Sequence, residues 1–484
     1  MFRSISEAVA YGKDTHPDRL CIADEDREYT YEQFFSYACQ LANLLCGLEN
    51  KTIAMRCTQD AAFLAMKMAC EISRNIFVPI EKDASVDRAK EIIEESKAQL
   101  LFGNIEGISC QCLDVPQYEE SGADYRYDFP LGDSISEILY TTGTTGKSKG
   151  VVISNYNNIA LAENIMYGAE IKENNVELIS LPISHSHALR SCYANFLRGG
   201  SIVLADGLRM IKNVLEKMEK YHVTSIDFSP SAAKIFMTLA KDKFYAFADQ
   251  LDYIEIGTAV LDETTKKILI EKFPNTRLYN FYGSTESGRS CVLDFSKNNK
   301  EKCVGKPTIN SHFIITDESR KEIVSSKDNL GLLACSGPMN MKGYWNQPEL
   351  SSSIMHDGYI YTNDLAYIDE EGYVYVYGRN GTIINFGGIK IAPEEVEEQV
   401  IRFENVADCA LVPKKDDIYG QIPFLYVVAK EGNDLDKTCL LDFIKRHVDS
   451  NKIPKRIEII EKIPRTFNGK IKRDELIKLC NKDK

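Results

Sequence analysis

The densest chemistry in the chain lies in Tyr140-Thr141-Thr142-Gly143-Thr144-Thr145-Gly146-Lys147-Ser148-Lys149-Gly150. Glycines let the backbone take positive φ and let a ligand approach the main chain. Successive free N–H groups in such a turn form an anion-binding concavity. Threonine hydroxyls and two lysines add donors and charge, so the composition suits a polyphosphate. A Walker A loop, G-x-x-x-x-G-K-[ST], fits only at its end, in Gly146-Lys147-Ser148. Its first glycine is replaced by Thr141, and Val151-Val152-Ile153 reads as a strand where Walker A opens a helix.

Four further stretches carry chemistry. Gly257-Thr258-Ala259 follows an apolar strand and offers backbone that can lie flat against a planar ring. Asn280-Phe281-Tyr282-Gly283-Ser284-Thr285-Glu286-Ser287-Gly288 supplies an aromatic ring, a tight glycine, hydroxyls and one carboxylate suited to Mg²⁺ beside a phosphate. Asp364, in Tyr361-Thr362-Asn363-Asp364, can accept from two ribose hydroxyls, and Arg379 can brace the same sugar. Finally, Pro464-Arg465-Thr466-Phe467-Asn468-Gly469-Lys470 holds a lysine out on an Asn-Gly turn. Taken singly, these also describe a polar turn, a surface ion pair and a solvated basic tail.

The elements that must position them alternate. Helices are expected at Tyr31 to Leu45, Ala61 to Ile72, Val86 to Leu100, Asn155 to Ala169, Ala188 to Leu197, Arg209 to Lys220 and Ala232 to Ala240. Short apolar strands fall between them, at Thr52 to Met55, Ile76 to Ile80, Leu178 to Leu181, Ser201 to Leu204 and Tyr253 to Ile256. That alternation predicts βαβ units around largely parallel sheets. Val304 to Tyr377 reads as short, Gly- and Pro-punctuated β pieces, a small β-subdomain. The expected fold class is α/β: a large N-terminal domain of mixed and parallel sheets with packed helices (residues 1–379), and a small α+β C-terminal domain (380–484).

With 484 residues, two or more domains are expected. A net charge of −13 argues against nucleic acid or an anionic membrane as the main partner. No apolar run is long enough to span a bilayer and no signal peptide is visible, so a cytoplasmic protein without membrane insertion is expected. The fourteen cysteines have no paired ligand spacing, which predicts buried thiols and no cysteine-held metal.

Taken together and in this order, the five stretches resemble the superfamily of adenylate-forming enzymes: acyl- and aryl-CoA ligases, adenylation domains of peptide synthetases, and beetle luciferases. The resemblance spans nearly the whole chain. It implies that a carboxylate is joined to AMP with release of pyrophosphate, then passed to a thiol. On the matching positions, Thr141, Thr142, Gly143, Thr144, Thr145, Gly146 and Lys149 would hold the β- and γ-phosphates. Gly257, Thr258, Ala259 and Tyr282 would flank adenine, with Val376 at its edge; Asn280, Gly283 and Ser284 complete the ATP-binding set. Thr285 would contact the α-phosphate, Glu286 would bind Mg²⁺, and Asp364 with Arg379 would take the ribose. Lys470 would reach the carboxylate and α-phosphate oxygens. The hinge falls at Gly381, and Gly387 and Gly388 match the segment that enters for the thiol step.

Two positions depart from the family pattern: Ser148 replaces the usual proline, and Gly381 the usual Asp or Lys of the hinge. His185, in Pro182-Ile183-Ser184-His185, falls at the spacing of an acyl-pocket histidine. Residues 182–189 lack the aspartate that amino-acid-activating relatives use, so a fatty or aromatic acid is expected. The expected co-substrates are ATP with Mg²⁺, and either coenzyme A or the phosphopantetheine of a carrier protein acting in trans. A stand-alone adenylation enzyme and a non-catalytic nucleotide-binding homologue are the alternatives.

Overall fold

The computed structural model describes residues 2–481 other than 106, 109, 121–124, 126, 143–147, 208–209, 259–260, 299, 380–381, 383, 387–388, 417–418, 449–451 and 466–468. The chain packs as two units: Met1–Phe313 with Cys335–Ile360, and Ile314–Ala334 with Tyr361–Lys484. The β-rich stretch expected as one piece is therefore shared between them. Its central part joins the second unit through contacts such as Thr362 Oγ1 donating to Leu333 O at 3.0 Å.

The first unit holds two sheets. In one, the strands stand in the order Cys303–Pro307, Gly288–Asp294, Arg277–Ser284, Tyr253–Ile256, Ser225–Phe228, Val176–Ile179, Ser201–Leu204, Leu20–Ala23 and Glu28–Thr30. The run from Arg277–Ser284 to Leu20–Ala23 is parallel, with antiparallel strands at both edges. In the other, Gly343–Tyr344, Ser148–Ser154, Ile135–Thr142, Ile76–Ile80, Thr52–Arg56, Leu100–Phe102 and Gln111–Leu113 follow one another.

Helix starts follow local sequence. Thr30 accepts from Gln33 N while the Gln33 side chain returns to Thr30 N, and Ser154 and Asn157 repeat the exchange at Asn155–Gly168. The helix Ala61–Ile72 is buried around almost its whole circumference. Its apolar side chains join those of Tyr31–Asn43 and Ser186–Arg198 in one core. Burial on that scale is the main favourable term for the unit.

Within this core sits an ionic cluster. Glu137, on the strand that leads to the expected phosphate loop, accepts from Arg190 NH1 and from Tyr193 OH at 2.7 Å. Lys67 Nζ lies 3.5 Å from the same carboxylate and also donates to Glu71 and to Ser136 Oγ. Lys67, Glu71, Glu137 and Arg190 are all at most 1% exposed. Burial alone pushes the Glu137 carboxyl up, but Arg190 and Lys67 outweigh it and hold it below the ordinary value.

The second unit carries the part of strand Tyr359–Ile368 from Tyr361 on, paired antiparallel with Val374–Arg379, and a sheet of Ile389–Ile391, Ile384–Phe386, Gly420–Ala429 and Val406–Asp416, with Arg456–Ile459 parallel to Gly420–Ala429. Helices Pro393–Val400 and Lys437–His447 cover one core there; Arg473–Cys480 contributes Leu476 and Cys480 to another.

Glu137→Ala leaves Arg190 and Lys67 short of a counter-charge in the core. It should destabilise the protein by about 3–5 kcal/mol, read as a lower urea midpoint. A midpoint unchanged from the parent would show that the cluster carries no such weight.

Candidate active site

The phosphate-loop flanks form an antiparallel ladder in which Thr141 opposes Lys149 and Thr142 opposes Ser148. Residues Gly143 to Gly146 lie outside the described residues. The chain leaves the loop as the strand Ser148–Ser154 and not as a helix, so the Walker A alternative falls. Lys149 Nζ sits 5.5 Å over the Tyr344 ring, and the Tyr344 hydroxyl donates to Glu286 Oε1 at 2.8 Å. One tyrosine thus joins the phosphate strand to the carboxylate expected at a metal. Glu286 is half-buried, and its second oxygen remains available to a hard cation, which suits Mg²⁺.

Glu286 and Thr285 stand on the turn after strand Arg277–Ser284, which carries Tyr282 and doubles back as Gly288–Asp294. Gly283 is required here, since a Cβ would fall 1.8 Å from Gly288 O. Ser284 Oγ accepts from Ser287 N at 3.1 Å and so builds the turn. Asn280 is buried and donates to Ile256 O at 2.7 Å, pinning the residue before Gly257. Thr258 takes φ 73°, a strained setting for a β-branched residue. Ala259 lies outside the described residues.

His185 caps the helix Ser186–Arg198 without a side-chain capping bond. Its Nδ1 lies 3.9 Å from Glu81 Oε1, and its buried Nε2 has no hydrogen-bond partner. Burial lowers its pKa and Glu81 opposes that shift.

A neighbouring cluster escaped the sequence reading. The His187 ring lies against Gly257, where a Cβ would fall 2.3 Å from His187 Cε1. Its Nε2 meets Asp227 Oδ1 at 2.7 Å. Arg289 donates to Asp227 Oδ2 at 3.1 Å, to Glu255 Oε2 at 2.8 Å, to Ser191 Oγ at 2.8 Å and to His187 O at 2.8 Å. Burial pushes Asp227 up, but His187 and Arg289 outweigh it and lower its pKa; burial raises Glu255 instead. Burial, then Arg289, lowers the pKa of His187. His187, Asp227 and Glu255 offer ligand atoms within 4.8 Å of one another, yet Arg289 already supplies the positive charge between the two acids. The available signal was one acid in each of three apolar strands, Val176–Ile179, Ser225–Phe228 and Tyr253–Ile256, with Asp227 and Glu255 in register.

In the second unit, Asp364 is buried and opposes Arg379 directly across the antiparallel pair, while Val376 opposes Ala366. Lys470 is exposed and follows Gly469, whose φ is +79°. Gly381, Gly387 and Gly388 lie outside the described residues. Among the described residues, no helix is long and apolar enough to cross a membrane.

Known proteins resemble this chain along its length. The family model described as AMP-binding enzyme matches residues 9–345, and that of the AMP-binding enzyme C-terminal domain matches 395–470. The chain is 30% identical over 355 residues to peroxisomal OPC-8:0-CoA ligase 1 of Arabidopsis thaliana, covering 72% of this chain and 64% of that protein. With 2-succinylbenzoate–CoA ligase of Staphylococcus epidermidis it shares 27% identity over 468 residues, 95% of this chain and 94% of the relative. The ATP-bound structure of MatB from Rhodopseudomonas palustris has the same fold, with a TM-score of 0.88, 21% identity, and coverage of 98% of this chain and 99% of that one.

Glu177 adjoins the cluster, accepting from Asn195 Nδ2 and Tyr253 OH, and burial with nearby Asp227 raises its pKa from 4.5 to about 7. A folded value above the unfolded one gives stability that is fully present below pH 4.5 and lost as pH rises through about 7. Glu177→Gln should therefore raise the urea midpoint at pH 8 more than at pH 5. An equal effect at both pH values would contradict the raised value.

Proposed function

Because the chain belongs to the AMP-binding enzyme family, we propose that it is an ATP-dependent acid–thiol ligase acting on a small-molecule carboxylate, with coenzyme A as the thiol. A carboxylate oxygen attacks the α-phosphorus of ATP, the bond to the bridging oxygen breaks, and pyrophosphate leaves. The thiol sulfur then attacks the acyl carbon of the mixed anhydride, loses its proton, and displaces AMP.

The observation that carries this reading is the Lys149–Tyr344–Glu286 connection, which sets a cation over the face of one tyrosine ring and a carboxylate at its hydroxyl. Thr141 to Lys149 take the terminal phosphates, Gly257 to Ala259 and Tyr282 flank adenine, and Thr285 meets the α-phosphate. Glu286 would hold Mg²⁺, which when bound would neutralise phosphate charge. Asp364 and Arg379 take the ribose. Lys470 stabilises charge as the carboxylate attacks. No protein nucleophile is needed; positioning and placed cations supply most of the acceleration. We place the domain division at 1–379 and 380–484, with Gly381 as the hinge and Gly387 and Gly388 serving the thiol step.

A fatty or aromatic acid suits the site, since no aspartate in residues 182–189 awaits an α-ammonium and burial disfavours the charged form of His185. The names of the relatives, CoA ligases for OPC-8:0 and 2-succinylbenzoate, support acids of this kind.

ATP–pyrophosphate exchange with a panel of fatty, benzoate, cinnamate and amino acids tests the first half-reaction without a thiol. Strong exchange with one fatty or aromatic class is expected, and an amino acid as the sole substrate would overturn the acid assignment. Coenzyme A should then outperform a phosphopantetheinylated carrier protein as acceptor. Lys470→Ala should abolish exchange yet still convert a preformed acyl-adenylate to thioester; normal exchange by that variant would remove Lys470 from the mechanism.

A further inference from the structure

Lys470 is not simply carried on a loose tail. Arg465 and Ile471 face each other as an isolated antiparallel bridge, a base that lies one residue from Lys470. From that base the Arg465 side chain does two things. Its NH1 donates to Gly469 O, the carbonyl just before Lys470, at 2.6 Å. Its Nε and NH2 donate to Asp408 Oδ2 and Oδ1, at 3.0 and 2.6 Å, a two-armed fork onto the strand Val406–Asp416. Beyond the lysine, Arg473 anchors the following helix, donating to Glu397 and Glu394 and to Leu411 O.

These two arginines differ in setting. Arg473 and Glu397 expose only 11% and 12% of their side chains, so that link is part of the fold. Arg465 and Asp408 expose 37% and 30%. At such exposure an ion pair contributes little to stability, because water and salt screen it. A bidentate guanidinium–carboxylate fork nevertheless fixes direction as well as distance. Here that direction is handed on, through Gly469 O, to the peptide that bears Lys470.

We infer that Arg465 and Asp408 form a clasp that positions Lys470 for adenylation, an inference that rests on the role proposed for that lysine. Neither residue touches substrate; both act through the lysine. Displacing a charged group by about 1 Å can cost on the order of a hundredfold in rate. Loss of the clasp therefore reads out in catalysis, not in folding.

The test compares Arg465→Ala, Arg465→Lys and Asp408→Asn with the parent and with Lys470→Ala, in both half-reactions and in thermal melts. Arg465→Ala should lower kcat for ATP–pyrophosphate exchange by about ten- to a hundredfold, leave KM for ATP near the parent value, and melt within a few degrees of it. Thioester formation from a preformed acyl-adenylate should be unchanged. Arg465→Lys keeps charge without the fork and should recover only part of the loss, and Asp408→Asn should lie between Arg465→Ala and the parent. Full exchange by Arg465→Ala, with Lys470→Ala inactive, would refute the clasp. Equal losses in both half-reactions would mark it as merely structural. Exchange by Lys470→Ala would instead overturn the reading of the lysine itself.

Discussion

A carboxylate in an apolar interior needs its charge answered, and Glu137 is the place where this chain meets that demand. Its strand leads into the segment proposed to hold phosphate, and its partner Arg190 stands on the helix that begins beside His185 and His187. Lys67 brings in a third element, the enclosed helix Ala61–Ile72. A buried charge pair gives little net stability against an apolar substitute, but breaking it is costly. Its effect is to specify geometry: the strand Ile135–Thr142 and the helix Ser186–Arg198 cannot slide past one another without separating charges in a medium that will not solvate them.

The same logic recurs at the second polar cluster. Arg289 on one strand answers acids on two others, and the His187 ring closes the group against Gly257. Parallel strands buried on both faces are usually continuously apolar. Placing charge there gives the surface behind Gly257 a fixed hydrogen-bond pattern.

Local pattern carried much of the architecture, and the residues show why. Helix Ala61–Ile72 was legible to the residue because Asp60 caps it and its apolar run is unbroken. The expected helix from Val86 to Leu100 stops at Ser96 because Lys97 turns into the left-handed region, and Leu100 already belongs to a strand. Leu20–Ala23 was missed: it is four residues long, and its parallel partner, Ser201–Leu204, lies about 180 residues away. Site residues fared similarly. Asp364 and Arg379 announced themselves by type and fall opposite one another. Tyr344 and Asp408 did not, since a lone tyrosine and a lone aspartate gain meaning only from what the fold brings beside them.

The chain contains a single tryptophan, Trp345, adjoining Tyr344, with its backbone N–H on Gly150 O at 2.7 Å and its indole N–H on Glu95 O at 3.2 Å. Gly150 closes the glycine- and threonine-rich segment proposed to hold phosphate. The chain therefore carries its own optical probe at the loop's far edge: one indole, half-buried, whose emission arises from a single known location. Changes in loop packing can be followed by intrinsic fluorescence without a label and without a competing indole signal.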